Sequence, residues 1–339
     1  MAREDYYATI GLEVHVQLKT ESKMFCGCAV EFGAPPNSRT CPVCLGLPGA
    51  LPVLNKGAIE RTVLAGLMLD CTTPPVSKWD RKNYYYPDMP KNYQISQFDL
   101  PLCMGGGVPL YDLAYPKDAQ KSIKNPGKVV KITRIHLEED VAKSTHLASS
   151  STIDFNRAGT PLMEIVSDPD IASGEEAFAY LNSLRQILVY GNLSDADMEK
   201  GQMRCDVNVS VRRPGGPLGT RTETKNLNSL RFIQAAIDYE VARQIEIIED
   251  GGVIDQETRL FDTATGSTRT MRSKEDAHDY RYFPDPDLLP MIVTQDEVDA
   301  LASALPELPD DIRDRLMGEY GLSAYDASVI TEERDTARY

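Results

Sequence analysis

Apolar and polar residues alternate through residues 7–18, and this two-residue period predicts a β-strand. Successive side chains of a strand point to opposite faces, so Glu13, His15 and Gln17 would share one face. The other face would carry the apolar residues Leu12, Val14 and Val16. The first strand is therefore expected to be apolar on one side and to carry an acid, a histidine and an amide on the other.

Further strand patterns follow along the chain. They are predicted over residues 129–137, 153–155, 162–166 and 203–211. In the last of these, the polar side chains Arg204, Asp206, Asn208 and Ser210 fall on one face. At least two predicted strands thus carry a polar face, and packing of an apolar core does not by itself account for this pattern.

Helices are predicted where apolar residues recur every three to four positions. These stretches are residues 56 to about 69, 174–190 and 230–249, the last ended by Gly251 and Gly252. From Thr294 the chain changes to short helical pieces interrupted by Pro306 and Pro309. We therefore expect an α+β fold, with a helical domain beginning near residue 294.

Length and charge narrow the function classes. The 339 residues carry 51 acids against 36 Lys and Arg, a formal net charge of −15. A protein that wraps nucleic acid by bulk attraction needs a basic footprint, so that class is excluded, whereas contact with only the end of an RNA is not. The sequence has no apolar run long enough for a membrane span and no apolar signal core at its N-terminus, so a cytoplasmic protein is expected.

Four of the seven cysteines lie within nineteen residues in two close pairs. They are Cys26, Cys28, Cys41 and Cys44. Paired thiolates separated by a loop are the usual ligands of tetrahedral zinc, and a closed four-thiolate shell leaves no position for catalysis. The spacing predicts a structural zinc that holds the loop, with four reduced, partly buried thiols as the alternative.

Acids and other polar groups accumulate on the predicted strand faces. The set comprises Glu13, His15, Glu138, Glu139, Asp140, Asp206, Asn208, Glu223, Lys225 and Asn226. Burying several carboxylates is costly unless a metal or hydrogen bonds compensate them. Oxygen-rich sites of this kind suit Mg²⁺, which also bridges nucleotide phosphates. The alternative is that these side chains simply form the solvent-facing side of antiparallel strands.

Nucleotide and hydrolase signatures are absent from the sequence. There is no GxxxxGK[ST] phosphate loop, no GxGxxG and no GxSxG nucleophile elbow. If ATP is used, its phosphates must be held by acids through Mg²⁺ and by scattered basic side chains.

Eight segments in order resemble one known family. They are residues 10–18, 26–49, 84–97, 136–140, 156–164, 204–210, 223–229 and 279–288. Together they resemble the B subunit of the glutamyl/aspartyl-tRNA amidotransferase, and the likeness runs from about residue 5 to 339. Each segment alone is weak support, but eight in sequence order are highly specific.

The resemblance implies a fold and a reaction. Residues 1–293 would form a catalytic cradle domain with a mixed β-sheet, similar to glutamine synthetase and the guanidino kinases, and carrying the zinc-binding loop. Residues 294–339 would begin a helical domain, with the YqeY-like tRNA-binding tail absent. The family uses ATP to activate the side-chain carboxylate of Glu-tRNA(Gln) or Asp-tRNA(Asn). It then amidates that carboxylate with ammonia from a partner amidase, the A subunit, in a heterotrimer that also has a small C subunit.

The resemblance also implies roles for residues. Catalytic roles fall to Glu13, His15, Glu138, Glu139, Asp206 and Glu223. Of these, Glu13, His15, Glu139 and Glu223 would bind Mg²⁺. Lys225, Asn208 and Lys91 would contact ATP, with Lys91 and residues 84–86 near the mouth of an ammonia channel.

Two departures from the family pattern are visible. Val141-Ala142-Lys143 stands where Ala-Gly-Lys is usual, and residues 100–126 form a longer Gly-rich segment, interpreted as a hairpin insertion.

The rival function is a non-catalytic zinc-ribbon scaffold that binds tRNA. A scaffold of this kind would explain the cysteines but not the repeated acids.

Overall fold

The computed structural model describes residues 5–273 and 279–338, and in these residues it has sixteen strands and seven α-helices. The strands are β1 Tyr7–Gln17, β2 Val76–Ser77, β3 Asp80–Asn83, β4 Tyr93–Ser96, β5 Cys103–Met104, β6 Gly107–Pro109, β7 Val129–Glu139, β8 Lys143–His146, β9 Ser151–Asp154, β10 Pro161–Ser167, β11 Met203–Arg212, β12 Thr222–Leu227, β13 Glu257–Asp262, β14 Ser267–Ser273, β15 Phe283–Pro284 and β16 Met291–Ile292. The helices are α1 Lys56–Met68, α2 Gly174–Tyr190, α3 Leu230–Glu249, α4 Gln295–Ala302, α5 Pro309–Tyr320, α6 Ala324–Thr331 and α7 Arg334–Arg338. The prediction of a mixed α+β fold is confirmed.

A large mixed sheet forms the centre of the molecule. Its strand order is β14-β13-β12-β11-β1-β10-β7-β5, and β6 also pairs with β7. The pair β12–β13 is parallel, and the other neighbours are antiparallel. The long strands β1, β10, β11 and β7 are thus adjacent, although up to about 190 residues separate them in sequence.

One face of this sheet is the hydrophobic core. Leu12, Val14 and Val16 of β1 are almost fully buried there. Helices α1, α2 and α3 pack on this face, and Ser173 and Ser229 cap the N-termini of α2 and α3 through their side chains. Burial of apolar side chains between the sheet and these helices is the main stabilisation of the fold.

The opposite face of the sheet, which we call the open face, carries the polar side chains. It is formed by β12, β11, β1, β10 and β7, and alternation places Glu13 and His15 of β1 on it. The three-stranded sheet β15-β3-β4 lies beside the C-terminal end of β7, since Gln94 Nε2 of β4 donates to the carbonyl of Glu139 at 2.8 Å.

Helices α4 to α7 occupy the end of the described chain. Helix α4 contacts α1 and α5 contacts α2. The hydroxyl of Tyr190 donates to the carbonyl of Thr331 at 2.8 Å, which ties α6 to α2. Pro309 begins α5 instead of interrupting a helix, because proline fits the first helical turn. That these helices belong to a separate domain stays a prediction.

The segment over residues 100–126 differs from the expected hairpin. Strands β5 and β6 each pair with β7 and not with each other, and the remainder includes a 3₁₀ turn, Asp112–Ala114. The described residues within 100–126 therefore do not form a hairpin of their own, and the antiparallel partner of β6 is the following strand, β7. Gly107, where a Cβ would lie 2.6 Å from Val129 Cγ1, permits the close approach of β6 to β7.

Candidate active site

Three strands bring the first group of metal-ligand atoms together on the open face. His15 of β1 lies opposite Glu164 of β10, and Glu164 lies opposite His136 of β7. The Nε2 atom of His15 is 3.4 Å from Glu164 Oε2 and 3.8 Å from Glu138 Oε1. We call His15, Glu138 and Glu164 the histidine group, whose ligand atoms all lie within 4.8 Å of one another.

Electrostatics in the histidine group favour a cation. Burial lowers the pKa of His15, but the hydrogen bond to Glu164 and the charges of Glu164 and Glu138 outweigh it and raise the pKa to about 9. The pKa of the Glu164 carboxyl lies well below its ordinary value, because His136 and His15 overcome its burial. In the protein alone, a protonated imidazole therefore supplies the charge that these carboxylates need.

The second group lies beside the first on the same face. Glu13 of β1 is opposite Asp206 of β11, and Glu223 of β12 is opposite Asn208. We call Glu13, Asp206 and Glu223 the carboxylate group, and its ligand atoms also lie within 4.8 Å of one another.

Polar neighbours hold the carboxylate group in place. Asn208 Nδ2 donates to Glu13 Oε1 at 3.1 Å, and Thr258 Oγ1 donates to Glu223 Oε2 at 3.0 Å. Lys225 Nζ donates to Asp206 and lies 2.9 Å from Glu223 Oε1. The predicted residues Asn208 and Lys225 are therefore brought to the site.

One cation does not balance the carboxylate group. The pKa of Glu13 is raised, first by burial and then by the charges of Glu164, Glu223 and Asp206, with only Lys225 lowering it. The pKa of Lys225 is itself raised, because Asp206 and Glu223 outweigh its burial. Three carboxylates with one lysine form a site that favours an added divalent cation.

Glu139 lies outside both groups. It follows Glu138 in β7, and adjacent residues of a strand point to opposite faces. Its carboxylate accepts from Lys91 Nζ at 2.5 Å and from the amide of Ile95 at 3.0 Å. The structure thus places Lys91 and Glu139 together as an ion pair behind β7, away from the side chains with which the sequence interpretation grouped them.

A cavity of about 210 Å³ lies beside this ion pair. Lys91, Glu139, Tyr93 and Ile95 line one side of it, and the cysteine loop lines the other. Of the tyrosines in residues 84–86, Tyr85 and Tyr86 are exposed and Tyr84 is half-buried. The pKa of Tyr84 is raised by burial and by the charges of Glu138, Asp88, Glu139 and Asp140.

The four predicted cysteines converge in the loop before α1. Their sulfur atoms lie within 4.8 Å of one another, and the Sγ atoms of Cys41 and Cys44 are 3.9 Å apart. Tetrahedral zinc with ligands at about 2.3 Å places sulfur atoms about 3.8 Å apart, so the set fits that ion. All four are free thiols.

Cys26 and Cys44 shift each other's pKa in opposite directions. The pKa of Cys44 is lowered to about 4 by its hydrogen bond with Cys26, opposed by burial and assisted by Lys23. The hydrogen bond with Cys44, together with burial, raises the pKa of Cys26. Zinc ligands must be deprotonated, so binding of a cation would replace this unequal sharing of protons.

Two site residues were not assigned from the sequence. Glu164 and His136 fall within the segments that carry the resemblance, but neither received a role. A signal existed for Glu164, because it is an acid between Met163 and Ile165 in a strand that is otherwise apolar and buried. His136 offered the same signal in β7, between the buried residues Ile135 and Leu137.

Comparison with known proteins shows the family of this chain. Residues 8–299 match the GatB/GatE catalytic domain. A relative from Methylacidiphilum infernorum, named as the B subunit of aspartyl/glutamyl-tRNA(Asn/Gln) amidotransferase, is 59% identical over 99% of this chain and 70% of its own length. Relatives of the same name from Geotalea daltonii and Geobacter sulfurreducens are each 55% identical over 99% of this chain and 69% of their own length.

The chain belongs to this family of amidotransferase B subunits, which confirms the resemblance seen in its sequence. It is thus one of the subunits of a glutamine-dependent amidotransferase, as predicted. Within residues 5–273 and 279–338, every helix is too short or too polar to span a lipid bilayer.

Proposed function

We propose that the open face activates the side-chain carboxylate of Glu-tRNA(Gln) or Asp-tRNA(Asn) with ATP and amidates it with ammonia. The observation that carries the proposal is the adjacency of the histidine group and the carboxylate group on one sheet face. Such a face suits phosphoryl transfer, in which positioning and neutralisation of charge supply most of the barrier lowering. A mixed-sheet cradle over residues 1–293, similar to glutamine synthetase, agrees with this arrangement.

The chain's own residues would hold two Mg²⁺ ions. The donor atoms fit, because each group offers three ligand atoms that lie close together and are mainly carboxylate oxygens. Bound Mg²⁺ would neutralise charge on the phosphoryl group during its transfer. Lys225, Asn208 and Thr258 orient the carboxylate group by their hydrogen bonds.

The reaction balances as two steps. An oxygen of the substrate carboxylate attacks the terminal phosphorus of ATP, and ADP leaves. Ammonia then attacks the carbonyl carbon of this side-chain acyl phosphate, phosphate leaves, and one proton of the ammonia is transferred to the phosphate, which gives the amide. Activation is needed because a carboxylate is a poor electrophile.

The position of Lys91 and Glu139 supports a route for ammonia. This pair borders the cavity under the cysteine loop, and Glu138 of the histidine group is the next residue along β7. We assign Lys91 and Glu139 to the boundary between a channel and the acid face, instead of a role for Lys91 in ATP binding and for Glu139 in Mg²⁺ binding. The ammonia would come from an amidase, the A subunit, within a complex that also contains a C subunit.

The cysteine loop would bind one zinc ion with a structural role, because the four thiols close the coordination shell. Residues 294–339 would begin a helical domain, and the described helices α4 to α7 agree with this assignment.

The test is Asp206→Asn in the assembled amidotransferase, with ammonium as nitrogen donor. Turnover should fall on the order of 10²-fold or more, as when one preorganised electrostatic group is removed. Mg²⁺ should raise the thermal midpoint of the wild type more than that of the variant.

Asp255→Asn is the matched control, because Asp255 is exposed and lies outside both groups. Glutaminase activity of the partner amidase should persist in both variants. Near wild-type, ATP-dependent amidation by Asp206→Asn would contradict the proposal.

A further inference from the structure

Arg134 is a half-buried arginine on the open face, and its side chain has no partner among the residues that the structure describes. It precedes His136 by two residues in β7, so both side chains are on this face. No described residue forms a hydrogen bond or ion pair with its side chain, and among these residues its buried Nε atom has no acceptor. Arg204 on the same face differs, because its guanidinium is paired: the Nε atom of Arg204 also has no partner among the described residues, but its Nη2 atom donates to Asp140 at 2.9 Å.

His136 has the same property at one of its nitrogen atoms. Its Nε2 atom lies 3.3 Å from Glu164 Oε2, but its Nδ1 atom is buried and, among the described residues, has no partner. Buried polar atoms without partners are rare in proteins because they lose the hydrogen bonds that water would supply. Two of them on adjacent positions of one strand face indicate a ligand that both could contact.

The ligand must be an anion. A guanidinium repels metal cations, whereas its planar set of donors matches the two oxygens of a carboxylate or phosphate. Arg134 lies opposite Val166 of β10, and Val166 lies opposite Glu13 of β1. The backbones of Arg134 and Glu13 are therefore two strands apart, about 10 Å, with an uncharged residue between them.

The position of Arg134 selects one anion. This step rests on the proposed function. Arg134 is on β7, at one end of the open face, and the ion pair of Lys91 and Glu139 lies behind the same strand, whereas Lys225 is at the β12 end. Ammonia that arrives beside Glu139 must meet the acyl carbon, so the acceptor carboxylate belongs at the β7 end and the phosphates of ATP at the β12 end.

We infer that Arg134, with Nδ1 of His136, binds the side-chain carboxylate of the aminoacyl group and orients it for phosphorylation. The residue would contact the substrate directly. Both glutamyl and aspartyl substrates carry this carboxylate, so both would depend on Arg134.

The experiment compares Arg134→Ala, Arg134→Lys and wild type in the assembled amidotransferase, with ammonium as donor. For Arg134→Ala we expect kcat/KM for the misacylated tRNA to fall about 10²-fold, as for the loss of one preorganised charged donor. The KM for ATP should stay within about twofold, since the ATP contacts are retained. Arg134→Lys should recover only part of the loss, because an ammonium cannot form the bidentate pair.

Stability and a control variant separate binding from structure. The thermal midpoint of Arg134→Ala should stay within about 2 °C of the wild type, because no protein partner is lost. Arg185→Ala, an exposed change in α2 on the other side of the sheet, should leave kcat/KM unchanged.

Two results would overturn the inference. One is an unchanged kcat/KM for the tRNA in Arg134→Ala, and the other is a rise in the KM for ATP alone, which would assign Arg134 to phosphate. If the wild-type complex itself lacked ATP-dependent amidation, the proposed function would fail instead, so the two failures are distinguishable.

Discussion

Buried acids lie on both sides of the main sheet, and they differ in how many cations surround them. The helix side carries Glu240, and the open face carries the carboxylate group. On the helix side, Glu240 of α3 is fully buried. It accepts hydrogen bonds from Arg243, Thr222 and Thr268 and lies 2.9 Å from Arg259 Nε. On the open face, Lys225 forms ion pairs with Asp206 and Glu223, and the third acid, Glu13, accepts a hydrogen bond from the uncharged Asn208.

The pKa shifts follow this difference. Burial raises the pKa of Glu240, but hydrogen bonds from Arg243 and Thr268 and the charges of Arg243 and Arg259 lower it below its ordinary value. The pKa of Glu13 is raised, because burial is reinforced by other acids. Burial of an acid is therefore no sign of function by itself, whereas burial without enough protein cations indicates a missing ligand.

The largest expected effect is a loss of stability when Glu240, the acid that is fully paired with cations, is changed. We call Glu240, Arg243 and Arg259 the Glu240 cluster. Glu240→Gln removes the charge but leaves Arg243 and Arg259 in place, so it should destabilise the fold by about 3–5 kcal/mol. Urea unfolding at neutral pH measures this loss. Because the folded-state pKa of Glu240 is lowered, the gap from wild type should shrink as the pH falls below about 4.5, the ordinary value, toward the folded-state pKa.

Glu246→Gln is the control for Glu240→Gln, since Glu246 lies exposed on the same helix. It should change stability by no more than about 0.5 kcal/mol. Equal stability of the two variants would mean that the Glu240 cluster is no better paired than an exposed acid.

The four clustered cysteines extend this comparison to sulfur ligands. As thiolates they would carry more negative charge than the neighbouring protein cations balance, so they too favour an added metal ion. Purified wild type should contain about one zinc per chain, and Cys41→Ser should lose it. The loss should increase protease cleavage within residues 26–54, because the zinc would hold a loop with no helix or extended strand of its own. Cys71→Ser, at a buried cysteine outside the cluster, should retain the metal, and full retention in Cys41→Ser would contradict a four-thiolate site.

The sequence predicted those features that depend on residues close together in the chain, namely the first strand, helices α1 to α3 and the cysteine cluster. The period of residues 7–18 placed Glu13 and His15 correctly on the polar face, and α1, α2 and α3 lie where their apolar spacing indicated. The cysteine spacing predicted a cluster that the structure brings together. Each of these features is decided within about twenty residues of sequence.

Strand pairing decided what the sequence could not. Glu164 meets His15 only because β10 lies beside β1, and the register of that pair is set by packing across the whole sheet. Glu138 and Glu139 look equivalent in the sequence, but β7 continues through both and sends them to opposite faces. The prediction ended this strand at residue 137, so it could not separate them.

The smallest expected effect is on the carboxylate group, where removal of one acid should stabilise the fold, unlike removal of the charge of Glu240. Glu13→Gln keeps an oxygen that can accept from Asn208 but removes one of three neighbouring charges. In protein freed of metal by chelation, this change should stabilise the fold by on the order of 0.5–1 kcal/mol, measured by urea unfolding at neutral pH. The pKa of Glu13 is raised in the folded state, so its ionisation disfavours folding, and the gain should vanish as the pH falls below the ordinary value of about 4.5.

Excess Mg²⁺ should reverse the order of stability of the two proteins, since the wild type would bind the ion more tightly than Glu13→Gln and gain more stability. Glu21→Gln, an exposed change outside both groups, should show neither effect. Destabilisation of metal-free Glu13→Gln would mean that its charge is already compensated within the protein, and the contrast with Glu240 would fail.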